Sequence, residues 1–148
     1  MYTPVDARLA AVCLVGSLLL PQQLSGADEA VRLIVHPTRV GRLSEAQARA
    51  IYLKQQLFWD DGSPIIPINL EAGSDARELF SERVFGQGSR RLAGYWNQRY
   101  FEAGEFPPAT LASEEAVIRF VAGNRNALGY VVGAEPDESV RVILMLDR

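Results

Sequence analysis

The sequence predicts an α/β fold, with one sheet covered on both faces by helices. Short apolar runs rich in β-branched residues alternate along the chain with stretches whose apolar residues recur at helical spacing. Strands separated by helices in this way pack as a sheet between helical layers. Three of the helical stretches also open on a serine fit to cap them, namely Ser44, Ser74 and Ser113.

Val31 to Val35 reads as the first strand, ended by His36-Pro37-Thr38. Ser44 and Gln47 make a capping box, and Ala48, Ile51 and Tyr52 form the apolar face of a helix running to about Gln55. Asp60 to Pro64 is a turn after the apolar Leu57-Phe58-Trp59. Ile65 to Leu70 is a buried strand, Glu71-Ala72-Gly73 a turn, and Ser74 caps a helix with Ala76, Leu79, Phe80 and Val84 on one face. Gly86, Gly88 and Ser89 end that helix and open another, carrying Leu92, Tyr95, Trp96 and Tyr100. Gly104 to Pro108 is a loop, extended around its prolines. A fourth helix follows Ser113, with Val117, Phe120 and Val121 inward and Gly123 as its stop. Ala127 to Val132 and Val140 to Leu146 are the last two strands. Neither internal repeats nor low-complexity linkers interrupt the order, so a single domain is expected.

Composition narrows the function classes. A net charge of −3, with no basic cluster longer than Arg90-Arg91, argues against a nucleic-acid partner, because neutralising phosphates takes many cations. The run Leu9 to Leu20 is twelve residues without a charge, short for a membrane span and suited to the core of an export signal. Pro21 ends it, and Ser25-Gly26-Ala27 offers small residues for cleavage after Ala27. The expectation is a signal peptide over 1–27, a mature domain over 28–148, and a periplasmic location. Cys13 lies inside the apolar run and does not mark a lipoprotein. Cleavage would remove this sole cysteine, leaving no thiolate for a disulfide, metal or nucleophile.

The stretch around Ser74 is the most suggestive for function. The first N–H groups of a helix lack intrahelical partners and the helix dipole makes the spot mildly positive, so anions bind there. Arg77 sits in that first turn, where the dipole opposes a cation, so it calls for a partner. That partner is either a bound anion or a carboxylate such as Glu71 or Asp75. Ser74 is either a ligand or simply a cap whose Oγ takes the Arg77 N–H. Elsewhere the residues read as structural. His36 stands alone as a strand-end residue rather than a metal ligand, and Asp60-Asp61-Gly62 lacks the alternating oxygens of a calcium loop. Trp59, Trp96, Tyr100 and Phe106 are candidates to stack on a ring or a sugar, but aromatics at helical spacing more often belong to the core. No serine, histidine and acid assemble into a triad, so neither catalysis nor a metal or cofactor is expected.

Leu43 to Lys54, Trp59 to Ile68 and Glu71 to Phe80, followed by Tyr95-Trp96, Phe101, Pro107-Pro108 and Ala127 to Val131, resemble the phosphate-binding proteins of phosphate ABC transporters. They are more closely similar to short, exported, single-lobe relatives of those proteins, over Val31 to Leu146. The resemblance implies one lobe of a type 2 periplasmic-binding-protein-like fold, a mixed sheet flanked by helices, and a binding function rather than an enzymatic one. In the full-length proteins a Gly-Ser-Gly-Thr turn at a helix start holds phosphate. Its first two residues fall on Gly73 and Ser74, its last two on Asp75 and Ala76, and an arginine three residues ahead falls on Leu70. One hydroxyl and one guanidinium are thus missing here, and a carboxylate is added.

The implied ligand is inorganic phosphate or a similar oxyanion, held weakly at Gly73, Ser74, Asp75, Ala76 and Arg77. The other reading is a periplasmic interaction or regulatory module that kept the fold and lost the ligand, serving a membrane transporter, a sensor or an envelope complex. A single lobe gives its ligand one wall only, and a second copy of the chain, as a homo-oligomer, or a partner protein would supply the other. Phe106, Pro107 and Pro108 are the residues expected at that contact.

Overall fold

The computed structural model describes residues 30–147. The apolar run over 9–20, the cleavage site after Ala27 and Cys13 lie outside the described residues. Five strands and four helices follow one another as β1 (Val31–Val35), α1 (Glu45–Tyr52), β2 (Ile66–Leu70), α2 (Asp75–Phe85), α3 (Ser89–Ala103), β3 (Ala109–Leu111), α4 (Glu114–Gly123), β4 (Ala127–Val131) and β5 (Arg141–Leu146). They build a mixed sheet in the order β3-β2-β4-β1-β5. β2 runs parallel to both β3 and β4, whereas β1 is antiparallel to β4 and β5. Among the described residues no helix is long and apolar enough to cross a membrane.

The expected fold class is therefore observed, and most element boundaries hold. The capping box of α1 closes as anticipated, with the Gln47 N–H donating to Ser44 Oγ at 3.2 Å and the Ser44 N–H to Gln47 Oε1 at 3.0 Å. The helix stops at Tyr52 rather than at Gln55, because Lys54 takes a left-handed φ of 54°. The Lys54 and Gln55 N–H groups then turn back onto the carbonyls of Ile51 and Ala50 at 2.9 and 2.8 Å, which closes the helix end. α4 ends differently from expectation. Gly123 is simply its last residue, and the Asn124 side chain caps it by donating to the Phe120 carbonyl at 2.8 Å. β3 was not expected at all: only three residues long, it lies at the sheet edge directly after Pro107-Pro108.

Alternation along β4 sorts the two faces of the sheet. Gly129 faces α4, and a Cβ placed on it would lie 2.4 Å from Val117 Cγ1 and 3.0 Å from Val121 Cγ2. Glycine is required here by close approach, since α4 lies directly on the strand. Tyr130 points the opposite way and stacks on Phe80 of α2, centroid to centroid at 3.8 Å, while Tyr52 of α1 meets the Phe80 ring edge-on at 4.6 Å. These three rings are fully buried and form the core of the second face.

The tyrosine hydroxyls have a structural task. β2 and β4 pair only at Ile66–Ala127 and Pro67–Leu128, and beyond that point the paired ladder ends. The Tyr52 hydroxyl fills the gap, donating toward the carbonyls of Ile68 (3.1 Å) and Leu128 (3.3 Å). Further on, the Tyr130 hydroxyl accepts the Leu70 N–H and donates to Asn69 Oδ1, both at 3.1 Å. Buried backbone groups that lack ladder partners are thus satisfied by phenols. The end of β2 is held away from β4, and the turn that follows it is fixed from below.

Burial pushes the Tyr130 hydroxyl up to about 12 and raises Tyr52 well above the ordinary tyrosine value near 10. A proton held more tightly in the folded state stabilises the fold below the unfolded value, and this contribution is lost as pH rises through the folded one. We expect unfolding free energy to decline between about pH 10 and 12, with a shallower decline in Tyr130→Phe. At neutral pH that variant should be less stable by about 2 kcal/mol, because the Leu70 N–H loses its acceptor. Urea titrations at a series of pH values check both expectations.

Candidate functional site

Of the five residues singled out in the sequence, Gly73 and Ser74 lie in the turn between β2 and α2, and Asp75, Ala76 and Arg77 form the first turn of α2. Gly73 adopts a φ of 90°, a conformation that side-chain-bearing residues rarely take, and so turns the chain into the helix. Ser74 is the N-cap, accepting the Arg77 N–H at 3.3 Å, and its hydroxyl donates to the Glu71 carbonyl at 3.0 Å. The hydroxyl is therefore spent within the turn. Asp75 and Ala76 occupy the first helical positions, where helix geometry gives their N–H groups no intrahelical acceptor. Gly73 and Asp75 are exposed and Ala76 is half-buried, so these donors sit at the surface.

Arg77 does not take the carboxylate alternative posed by its sequence context. It pairs with neither Glu71 nor Asp75, and among the described residues it makes no ion pair. Its side chain folds back beneath the turn and is 8% exposed. One terminal nitrogen, Nη1, donates to the Leu70 carbonyl at 3.1 Å, while Nε is buried and makes no hydrogen bond. A buried guanidinium without a carboxylate is costly, because the Leu70 carbonyl and the adjacent Tyr130 hydroxyl replace only part of its lost hydration.

The nearest acid along α2, Glu78, is committed to another task. Its carboxylate accepts the Ser89 N–H at 3.0 Å and the Ser89 hydroxyl, and so caps α3, whose N-cap Gly88 has no side chain to do so. These hydrogen bonds, helped by the nearby charges of Arg77 and Arg90, hold the Glu78 carboxyl below its ordinary range.

Arg77 forms part of the wall of a groove of about 460 Å³. The groove runs between the turn, at Ala72, and α3, at Leu92, Trp96 and Tyr100. Its far wall is the loop Phe106-Pro107-Pro108 with Thr110 of β3. Arg77 is the one charged residue in the lining, which is otherwise apolar and aromatic except for Ser89, Asn97 and Thr110. A second basin next to it is bordered by Gly73, Glu78, Arg90 and Arg91.

Comparison with solved structures places this fold. A protein from Clostridium perfringens, described as a phosphate ABC transporter substrate-binding protein with bound phosphate, superposes with a TM-score of 0.58 at 26% identity. The match covers 77% of this chain and 44% of that one. An ABC-type phosphate transport receptor from Vibrio cholerae superposes with a TM-score of 0.61 at 20% identity, over 77% of this chain and 45% of the receptor. The chain is related to the phosphate ABC transporter substrate-binding proteins. It spans less than half the length of these phosphate-transport relatives. No protein-family model matches the sequence, and neither does any curated protein sequence.

The sequence-selected residues divide into two groups. Gly73, Ser74, Asp75 and Ala76 shape the outer turn, whereas Arg77 points inward to the groove. Trp96, Tyr100 and Phe106 were expected as core aromatics first and as stacking surfaces second, with Phe106 also named for an exposed contact. Trp96 is buried, but Tyr100 and Phe106 are exposed and flank the groove, their rings 5.1 Å apart. Phe106, Pro107 and Pro108, expected at a contact with a second wall, lie across the groove from Ala72 of the turn. Ser89, Asn97 and Thr110 were missed. A signal for Ser89 existed in the Gly86 to Ser89 break, which starts a second helix near the first, whereas nothing in the sequence marks Asn97 or Thr110.

His36 and the Asp60-Asp61-Gly62 turn are each engaged locally. His36 Nδ1 accepts the Thr38 N–H at 3.2 Å and lies 2.8 Å from its hydroxyl, and Asp61 Oδ1 accepts the Ser63 N–H at 3.0 Å. Among the described residues no group of acids, histidines and cysteines is placed to hold a metal.

Proposed function

We propose that this chain is an exported solute-binding lobe whose ligand is phosphate or a similar oxyanion, taken up at the turn from Gly73 to Arg77. The observation that carries the reading is the guanidinium of Arg77, buried against the turn with no carboxylate to balance it and with Nε unpartnered. An oxyanion at the turn would be drawn by that positive charge from the groove side, while the Asp75 and Ala76 N–H groups add to the positive potential from the outer side of the same helix start. Support comes also from the Clostridium perfringens relative, which is described with phosphate bound. Nothing in the site resembles a nucleophile with its base, and the reading is of binding without catalysis.

A second reading, an interaction module for a transporter, a sensor or an envelope complex, is favoured by the exposed aromatics. Phe101 is 84% exposed and Phe106 62% exposed, and both meet Tyr100 in one patch. The two readings are compatible if the patch seats the second wall, whether a partner protein or another copy of this chain. With one wall only, a few N–H donors and a guanidinium give a Kd of about 1 mM, or about −4 kcal/mol.

The experiment is calorimetric titration of residues 28–148 with inorganic phosphate and sulfate. Asp75 sets a carboxylate at the mouth of the site, and two unit charges about 5 Å apart repel by roughly 3 kcal/mol before salt screening. Asp75→Gly is therefore expected to tighten phosphate binding by roughly tenfold, less as salt is raised. Unchanged affinity would place any anion elsewhere, and no heat in either protein would leave the interaction module as the better reading. The export part of the proposal rests on the apolar run over 9–20. Protein recovered from its native host should begin near Asp28, and an intact Met1 would contradict export with cleavage.

A further inference from the structure

The groove beside Arg77 is built for more than a bare oxyanion. Its 460 Å³ falls in the range of pockets that enclose small organic molecules. Its composition is also of that type: a largely apolar lining with a small number of polar groups that fix orientation. The apolar part comes from Leu92, Trp96, Tyr100, Phe106 and the two prolines, and the Pro107-Pro108 pair makes its far side stiff. The sole charge is Arg77, with Nε unpartnered. Other polar capacity is limited. The Ser89 hydroxyl is occupied by Glu78, so Asn97, Thr110 and the Tyr100 hydroxyl are the side-chain groups left to read a ligand's polar edge.

We infer that this groove binds an organic oxyanion, a compact aromatic or apolar body bearing one carboxylate or phosphate monoester, with the anionic head at Arg77 and the body against Trp96, Tyr100 and Phe106. The inference rests on the oxyanion reading above and names the class of ligand for it. A bare phosphate would satisfy the guanidinium but leave the aromatic walls wet. A body attached to the head removes those walls from water, and ring-on-ring contact with Tyr100 and Phe106 adds to the gain. Such a ligand also needs no second protein wall to bind measurably, since the groove itself supplies two sides.

Trp96 in the groove wall gives a direct readout. The protein has two tryptophans, and Trp59 lies outside the groove, so Trp59→Phe leaves Trp96 as the reporter. Fluorescence and calorimetric titrations with phenyl phosphate and with inorganic phosphate form the test. Phenyl phosphate is expected to bind roughly tenfold more tightly than phosphate and to change Trp96 emission. Phe106→Ala, at an exposed loop position, should weaken phenyl phosphate by roughly threefold or more and leave phosphate unaffected. Equal affinity for the two probes, or a Phe106→Ala variant indistinguishable from the parent, would overturn the inference while leaving the oxyanion reading intact. Phenyl phosphate binding with no detectable phosphate binding would support the groove and contradict bare phosphate as the ligand. Absence of binding by both probes would overturn both.

Discussion

A cation kept out of water beneath a turn is the constraint on which this structure depends. Moving a guanidinium into a protein interior costs several kcal/mol even after relaxation. Arg77 recovers part of that through the Leu70 carbonyl, and the carbonyl is available because β2 ends there without a ladder partner on β4. The phenols of Tyr52 and Tyr130 hold the strands apart at this point, and Phe80 wedges between them. Strand end, turn and first helical residues thus form one unit, supported from the core and presenting its donors outward. The positive charge of Arg77 in turn works against the burial that raises the two phenols.

The charges around this unit are arranged so that the cation stays uncompensated. Glu78 sits one residue away on α2, close enough for Arg77 to help lower its pKa, yet its oxygens go to the start of α3. By capping α3, Glu78 also positions Leu92, Trp96 and Tyr100 as the wall opposite the turn. One carboxylate therefore shapes the groove and leaves its cation unpaired.

Much of the fold was legible because it is written in local chemistry. Ser44, Ser74 and Ser113 each cap the helix expected of them, and Gly86 and Gly104 end helices in the left-handed conformation that glycine permits. What escaped depends on distant partners. Ala109 to Leu111 has too few residues for a period and becomes a strand only because Ile68 to Leu70 lies beside it. Lys54 ends α1 by a left-handed turn that no glycine announces. Tyr100 and Phe106 share the spacing or chemistry of core residues, and their exposure follows from the course of the loop after α3, which is a tertiary matter. Arg77 was visible as a cation in an unfavourable place. The direction of its side chain, inward rather than toward Glu71 or Asp75, was set by a core that the local sequence does not show.

The central claim is that Arg77 is retained for a ligand at the expense of the ligand-free fold. Arg77→Met keeps much of the side chain's bulk and removes the buried charge. An apolar residue of similar bulk avoids the desolvation penalty of an unbalanced buried ion, which is several kcal/mol. The decisive measurement is the unfolding free energy of Arg77→Met against the parent, without added anion and then in excess phosphate. We expect the variant to equal or exceed the parent in stability without anion, and the parent alone to gain stability when phosphate is added. A variant destabilised by several kcal/mol without anion, together with a parent indifferent to phosphate, would show that Arg77 serves the fold and contradict the claim.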